Sequence, residues 1–250
     1  MSDNERLWSD FLSYIERAPA ANHPGMLFAG FREELLEEGR SQEEASESIR
    51  MIMTMATERR DWTAPMFDRI YASPEPGFST RPNALLVEVI DGRPLGTALD
   101  IAMGQGRNAL YLASRGWEVT GFDVSSEGIA VALQEAAKDG LSIDARVVAH
   151  DEFEYGSEAW DLIVMTYALV PVTDVSFATT LVNSLRPGGL LVTESFAPDS
   201  DRPLRPVDIL PDRLRQAYAA LKVLRFEDGT DTSDWTDEPS RIVRMAAIKN

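Results

Sequence analysis

The sequence predicts an α/β protein: a doubly wound, mostly parallel seven-stranded sheet with an antiparallel C-terminal hairpin and an N-terminal helical extension. Three observations predict this class. Residues 1–60 show only the helical spacing of apolar side chains. From residue 83 onward, short apolar runs alternate with amphipathic segments, as in parallel sheets that carry helices on both faces. Two strand-like runs near the C-terminus then follow each other with no helix between them.

Composition narrows the class of function. The 250 residues carry a net charge of −17 and include no cysteine, which excludes disulfides, thiolate metal sites and cysteine nucleophiles. So acidic a chain is a poor binder of nucleic acid or anionic membranes, because both depend on Lys and Arg. No apolar run is long enough to span a membrane, and the first residues lack the pattern of a signal peptide. We therefore expect a cytoplasmic protein that acts on a small molecule.

The helical extension, residues 1–60, contains three predicted helices. Ser41 and Glu44 form a capping box at the start of the third, which places its apolar residues on one face; these are Ile49, Ile52, Met53 and Ala56. An apolar helix face has to be covered by another part of the protein or by a second copy of it. Two interpretations remain open: the extension caps the acceptor side of a pocket, or it forms the interface of a homodimer.

Residues 61–82 form a second predicted region, a lid segment that is rich in proline and aromatic residues. Four prolines and a glycine argue against a long element here. The aromatic side chains, among them Trp62, Tyr71 and Phe78, serve either as packing anchors or as the lid of a pocket.

Residues 83–250 form the predicted α/β domain. Its helices are expected at 83–90, 107–115, 125–138, 175–185 and 208–216. Its strands are expected at 97–101, 117–122, 143–149, 160–166, 190–194, 219–226 and 241–249. The acidic segment 227–238 is interpreted as a solvated loop.

The stretch from Asp100 to Asp123 carries the strongest functional signal. Gly104 and Gly106 lack a Cβ, so the turn after the first strand can approach a ligand closely. The helix that follows directs free backbone N–H groups at that turn. Asp123 ends the second strand, where a carboxylate can accept both hydroxyls of a ribose. Because the glycine spacing also fits a dinucleotide fingerprint, a nicotinamide-dependent oxidoreductase remains an alternative.

Three further observations favour another nucleoside ligand. Asp100 is an acid inside the end of the first strand, which makes sense beside a cationic ligand group. Asp151 follows the third strand and adds a carboxylate at the same edge of the sheet. The antiparallel end of the sheet is foreign to the usual dinucleotide fold.

From Trp62 onward, the chain resembles the class I S-adenosylmethionine-dependent methyltransferases, which have a Rossmann-like fold. Residues 100–106 match the motif D-x-G-x-G-x-G, with Ala102 in place of the first glycine. Other segments match in the family's order: Asp123, Asp151–Phe153, Trp160–Ile163, Leu185–Gly189 and Val243–Ala247. Residues 106–113 are most similar to the tellurite-resistance and thiopurine-type branch, whose members methylate small nucleophiles.

The resemblance implies a set of site residues. S-adenosylmethionine is expected to lie against Asp100, Ala102, Gly104, Gly106, Asn108, Asp123, Val124, Asp151, Glu152 and Phe153. Tyr71 is a further candidate, because an aromatic face can shield a sulfonium cation. Tyr167, His150 and Glu194 are the candidate catalytic residues, and no metal site is expected.

The sequence thus predicts an S-adenosylmethionine-dependent methyltransferase that acts on a small-molecule nucleophile by in-line transfer. A non-catalytic protein of the same fold, which binds the cofactor or serves as an interaction module, is the main alternative. The acceptor molecule and its reacting atom are left open.

Overall fold

The computed structural model describes residues 2–199, 205 and 207–250. The chain divides into two compact units. The first comprises Met1–Phe78 together with Ser125–Gly128, and the second comprises Ser79–Val124 and Ile129–Asn250. No helix among the described residues is both long and apolar enough to cross a membrane.

The first unit is helical, as its sequence predicts. Its helices are α1 (Asp3–Arg17), α2 (Pro24–Glu37), α3 (Gln42–Ala56) and α4 (Thr63–Tyr71). The predicted capping box is confirmed, because Ser41 Oγ accepts from the Glu44 N–H while the Glu44 carboxylate accepts from the Ser41 N–H. Phe11 is fully buried and lies against the rings of Phe28 and Phe31.

Two expectations for this unit were wrong in detail. The segment 61–82 contains a nine-residue helix, α4, despite its prolines. Pro65 lies in the first turn of α4, where a backbone N–H has no partner within the helix, so the ring does no harm there. Met53 is half exposed; the buried face of α3 is made by Ala45, Ser48, Ile52 and Ala56.

The second unit contains the predicted sheet and confirms the fold class. Its helices are α5 (Ala84–Ile90), α6 (Arg107–Ser114), α7 (Ser126–Lys138, whose first residues cluster with the first unit), α8 (Val175–Ser184) and α9 (Pro211–Ala217). Its strands are β1 (Thr97–Ile101), β2 (Glu118–Asp123), β3 (Asp144–Val147), β4 (Trp160–Thr166), β5 (Leu185–Phe196), β6 (Lys222–Thr232) and β7 (Pro239–Ile248).

The strand order is β3-β2-β1-β4-β5-β7-β6. The first five strands are parallel, and β7 runs antiparallel to both β5 and β6. The chain builds outward from β1 to β3 and then returns to place β4 on the other side of β1. In sheets of this kind, ligands bind at the carboxyl ends of the strands beside that reversal.

Both faces of the sheet are buried, and alternate residues of each strand serve opposite faces. Leu99 and Ile163 pack in one apolar cluster, whereas their neighbours Ala98 and Leu162 pack in another. The continuous apolar runs of the central strands therefore reflect helices on both sides of a parallel sheet.

Two strands are longer than their sequence predicts. β5 begins at Leu185 rather than at residue 190, because Leu185 pairs with Trp160 of β4 and because Gly188 and Gly189 exchange backbone hydrogen bonds with Lys249. β6 continues to Thr232, so the first half of the acidic segment expected to be a solvated loop is strand. Arginines of β7 compensate its acids: Arg244 pairs with Asp231 and Glu227, and Arg241 pairs with Asp228.

Candidate active site

The glycine turn joins β1 to α6. Three of its residues, at alternate positions, have backbone φ angles in the left-handed region. Ala102, Gly104 and Gly106 have φ angles of 55°, 54° and 84°. A Cβ on Gly106 would lie 2.9 Å from the Cβ of Ala132 on α7. The glycine at position 106 therefore allows close packing of the turn against α7, in addition to supplying the backbone conformation.

Asp123 holds this turn from the end of β2. Its Oδ2 accepts a hydrogen bond from the Gly104 N–H at 2.8 Å, in a buried setting. The carboxylate that the sequence assigns to a ribose is thus fixed beside the glycine turn. The two ends of the motif, 19 residues apart, form one structural unit.

Asp100 lies in β1 with only 2% of its surface exposed. Among the described residues, no donor reaches its Oδ2. Burial raises the pKa of this carboxyl from 3.8 to about 7, and the nearby Arg107 charge and Ala109 N–H oppose that rise. A buried, incompletely paired acid is costly unless a ligand completes it, so the site fits a ligand with a positive charge.

The segment after β3 differs from its predicted form. β3 ends at Val147, and residues 149–153 form a turn in which the Glu152 and Phe153 N–H groups both donate to the Ala149 carbonyl. Strand alternation therefore does not decide which side chains of this segment face a ligand. Asp151 and Glu152 are exposed.

Phe153 and His150 each pack on an aromatic ring. Phe153 is buried and stacks on Phe122 with ring centres 4.4 Å apart. His150 is half-buried and meets Phe177 edge to face at 5.4 Å. Val124, which follows β2, is half-buried.

Asn108 uses its side chain to tie the start of α6 to two other elements. Its Oδ1 accepts from the Asn83 N–H at 2.9 Å, and its Nδ2 donates to Thr166 Oγ1 at 3.0 Å. Thr166 is the last residue of β4. Asn108 thus fixes the glycine turn relative to the carboxyl end of β4.

Tyr167 and Glu194, two of the three candidate catalytic residues, are brought together. Tyr167 Oη donates to Glu194 Oε1 at 2.7 Å and accepts from Ser233 Oγ at 3.1 Å. Glu194 also forms an ion pair with Arg244. Burial, with the Glu194 charge adding to it, holds the pKa of Tyr167 far above its usual range. The arrangement favours a positioning role over acid–base chemistry for this pair.

Residues 233–238, the loop between β6 and β7, pack against the candidate site, which their acidic sequence did not predict. Ser233 is fully buried, and Trp235 stacks on the Tyr167 ring at 5.2 Å. Asp234 forms an ion pair with Arg107, whose side chain is only 8% exposed. A tryptophan within so acidic a segment was the available signal that this loop packs on something.

Tyr71, Trp62 and Phe78 belong to the first unit. Trp62 is buried and donates to the Arg59 carbonyl, which makes it a packing residue. Tyr71 is half-buried, and its ring lies 6.2 Å from that of Phe78. Ser125 caps α7, because its Oγ accepts from the Gly128 N–H.

Comparison with known proteins agrees with this geometry. Residues 98–189 match the family model described as a methyltransferase domain. A ubiquinone biosynthesis O-methyltransferase from Agrobacterium fabrum is 33% identical over 129 residues, which cover 51% of this chain and 48% of that protein. The chain spans about half the length, or less, of the first curated relatives that it matches.

Solved structures share the fold. A protein studied for the conversion of a disulfide bond into a thioacetal group during echinomycin biosynthesis matches with a TM-score of 0.60 and 21% identity, over 75% of this chain and 92% of that one. TehB from Haemophilus influenzae matches with a TM-score of 0.57 and 19% identity, over 75% of this chain and 67% of that one.

The chain is thus a protein of the class I methyltransferase fold, as its sheet order and glycine turn define it. More particularly, residues 98–189 match the methyltransferase-domain model, and this segment contains the glycine turn and both carboxylates of the motif, Asp100 and Asp123.

Proposed function

We propose that this protein is an enzyme that transfers the methyl group of S-adenosylmethionine to a small-molecule nucleophile. The observation that supports this most directly is the incompletely paired carboxylate of Asp100 beside a glycine turn already fixed by Asp123. When bound, the cofactor supplies an electrophilic methyl group on a positively charged sulfur. The protein then has to align the acceptor with that group and to exclude water.

The donor side is assigned as follows. Asp123 accepts the ribose hydroxyls, while Asp100 faces a cationic group of the cofactor. The backbone of the glycine turn provides the close approach. The remaining predicted residues of the second unit complete the pocket; they are Ala102, Gly104, Gly106, Asn108, Val124, Asp151, Glu152 and Phe153.

The acceptor side is assigned to the carboxyl ends of β4 and β5. Tyr167 and Glu194 shape it as a hydrogen-bonded pair, and His150 is the candidate base. The relatives' printed name, O-methyltransferase, nominates a hydroxyl acceptor such as a phenol. Since a phenol carries its proton at neutral pH, such an acceptor benefits from a general base.

The proposal extends to the setting of the enzyme. The acidic chain, without a membrane-spanning helix among its described residues, supports a cytoplasmic enzyme that binds neither nucleic acid nor membranes. The apolar helix faces of the N-terminal unit favour a homodimer. Light scattering of the purified full-length chain distinguishes a dimer from a monomer.

Calorimetry followed by a turnover assay tests the function. S-adenosylhomocysteine is expected to bind, whereas NAD is not. The full-length protein is then incubated with S-adenosylmethionine and a panel of phenols, thiols, amines and halides, and S-adenosylhomocysteine formation is measured. Binding without turnover of any acceptor would favour the non-catalytic alternative, and preferential binding of NAD would refute the proposal.

A further inference from the structure

We propose that Arg107 and Asp234 form a positioning pair that couples the cofactor turn to the 233–238 loop, so that donor binding and ordering of this loop reinforce each other. The inference rests on the proposed function, because the ligand that drives the coupling is the methyl donor. Arg107 directly follows the motif of residues 100–106, and Asp234 lies outside every segment that carries the resemblance.

Arg107 is the first residue after the glycine turn, and its guanidinium is buried against the loop. Its Nη1 lies 3.1 Å from the Asp234 Oδ1, from the Asp234 carbonyl oxygen and from the Arg81 carbonyl oxygen. Nη1 carries only two hydrogens, so these three acceptors share them and together fix the direction of this one nitrogen. The position of the loop is therefore tied to the orientation of one side chain of the turn.

Asp234 is held from its other side as well. Its Oδ2 accepts from Asn83 Nδ2 and from the Ala84 N–H, both at 2.8 Å. Asn83 in turn donates its own N–H to Asn108, the second residue of α6. The Asp234 carboxylate thus joins the start of α5 to the start of α6. It is linked to α6, which follows the glycine turn, directly through Arg107 and indirectly through Asn83 and Asn108.

The same turn reaches the carboxyl end of β4. Arg107 Nη2 lies 3.4 Å from Thr166 Oγ1, and the guanidinium lies 5.8 Å from the centre of the Tyr167 ring. Trp235 of the loop stacks on that ring. The loop is therefore anchored twice: by charge to Arg107 and by stacking to Tyr167.

Charge links this arrangement to the donor site. Arg107 acts electrostatically on Asp100, the buried acid assigned to a cationic group of the donor. A donor that binds against the turn restricts Arg107 further and, through the ion pair, restricts Asp234. By thermodynamic linkage, a loop that holds Arg107 in place raises donor affinity by the same factor.

Hydrogen exchange and calorimetry on the full-length protein test the coupling. In the wild type, S-adenosylhomocysteine should slow the exchange of the amides of residues 233–238. The variant Asp234→Asn should lose this slowing and should bind S-adenosylhomocysteine about tenfold more weakly. The control is Asp237→Asn, in the same loop, whose carboxylate pairs with the exposed side chain of Arg81. It should leave both readouts unchanged.

A second variant covers the case in which Asp234→Asn does not fold. Arg107→Lys keeps the positive charge near Asp100. A lysine has one terminal nitrogen and cannot contact Asp234 and Thr166 together, so this variant should also lose the exchange response. A double variant should bind no more weakly than the weaker of its two single variants, because both remove one interaction.

The outcomes separate the two proposals. If wild-type protein binds no S-adenosylhomocysteine, the proposed function fails and the coupling fails with it. If the wild type binds it, but the Asp234 and Arg107 variants keep the wild-type affinity and exchange response, the coupling alone is overturned.

Discussion

Tyr167 and Glu194 lie on neighbouring strand ends, and the phenol of the first donates to the carboxylate of the second at 2.7 Å. Both side chains are almost completely buried. Glu194 is also paired with Arg244, and Tyr167 adopts a φ of 54°, which is uncommon for a bulky residue. So constrained a pair suits the shaping of a pocket wall better than the exchange of protons.

Substitution of this pair should therefore affect stability more than chemistry. Glu194→Gln should destabilise the fold by about 3 kcal/mol, because it removes the buried partner of a largely buried arginine. Tyr167→Phe should cost about 1–3 kcal/mol and leave the shape of the pH–rate profile unchanged. Urea denaturation measures the first effect, and turnover across pH measures the second.

Glu227→Gln is the matched control for Glu194→Gln. Glu227 also pairs with Arg244, but it is 40% exposed and lies 3.4 Å away, so its loss should cost less than about 1 kcal/mol. A Tyr167→Phe variant that folds normally, yet loses more than a hundredfold in kcat with a shifted pH profile, would contradict the positioning role.

Asp123 should make a large contribution to cofactor affinity. Asp123→Ala should weaken S-adenosylhomocysteine binding by about ten- to a hundredfold. It removes the charged acceptor proposed for the ribose hydroxyls, and it removes the acceptor of the Gly104 N–H. Asp123→Asn keeps an acceptor for Gly104 and should show a smaller loss. Calorimetry measures both. Asp144→Asn, an exposed acid on the adjacent strand, should bind normally; an equal loss there would argue against a specific role for Asp123.

Asp100 should make cofactor binding depend on pH. Burial raises the pKa of its carboxyl to about 7 in the ligand-free protein. A cationic ligand favours the ionised form and so lowers that pKa, which means that binding near pH 6 releases a proton. Affinity for S-adenosylhomocysteine should therefore rise about tenfold between about pH 6 and about pH 8. Calorimetry in buffers of different ionisation enthalpy counts the released proton.

The same shift has a consequence for stability. Because the folded-state pKa lies above the ordinary value of 3.8, the stabilising contribution of neutral Asp100 is complete below pH 3.8 and is lost as the pH rises through about 7. Asp100→Asn should remove both pH dependences, whereas Asp139→Asn, an exposed acid, should remove neither. Proton release that persists in Asp100→Asn would assign the effect to another group.

The sequence was sufficient for the fold class and for the donor motif because these depend on local rules. Alternating apolar runs, a glycine turn and an acid at a strand end are all visible within about 25 residues. The predicted strand boundaries were less accurate where hydrogen bonding to a distant segment sets the end of the strand. β5 begins early because Leu185 pairs with Trp160 of β4 and because Gly188 and Gly189 pair with Lys249 near the C-terminus, and no local pattern contains those contacts.

The acceptor side shows the same limit more strongly. Arg107 and Asp234 are 127 positions apart, and the acidic run around Asp234 looks solvated until the arginines of β7 are placed beside it. Likewise, the residues near Tyr167 in the sequence do not predict that its phenol donates a hydrogen bond to Glu194. Polar networks assembled from distant segments depend on the tertiary fold and are invisible to periodicity.

Ala102 should carry a small conformational cost. It occupies the place of the family's first glycine and keeps a left-handed φ of 55°. Ala102→Gly should therefore be neutral or stabilising by up to about 1 kcal/mol. Ala109→Gly, in the first turn of α6, should instead destabilise by about 1–2 kcal/mol, because glycine there adds flexibility and removes a buried methyl group. Urea denaturation compares the two; equal destabilisation would show that the Ala102 methyl group makes a packing contact worth more than the strain.

His150 is the remaining candidate base, because the other two candidates are hydrogen-bonded to each other. An imidazole can take up a proton near neutral pH. The His150 side chain lies in the turn that follows β3, against Phe177. His150→Asn should lower kcat for a phenol acceptor by about a hundredfold or more and should leave S-adenosylhomocysteine affinity unchanged. A thiol acceptor, which loses its proton more readily, should be affected less.

The second histidine of the chain supplies the control for this experiment. His23 precedes α2 in the first unit, and His23→Asn should leave turnover of both acceptor classes at the wild-type level. The measurement is initial rate against acceptor concentration, so that kcat and KM are separated. If His150→Asn turns over phenols at the wild-type rate, the enzyme uses no histidine base, and proton removal falls to solvent or to the acceptor's own ionisation. A loss confined to KM would instead make His150 a contact that positions the acceptor.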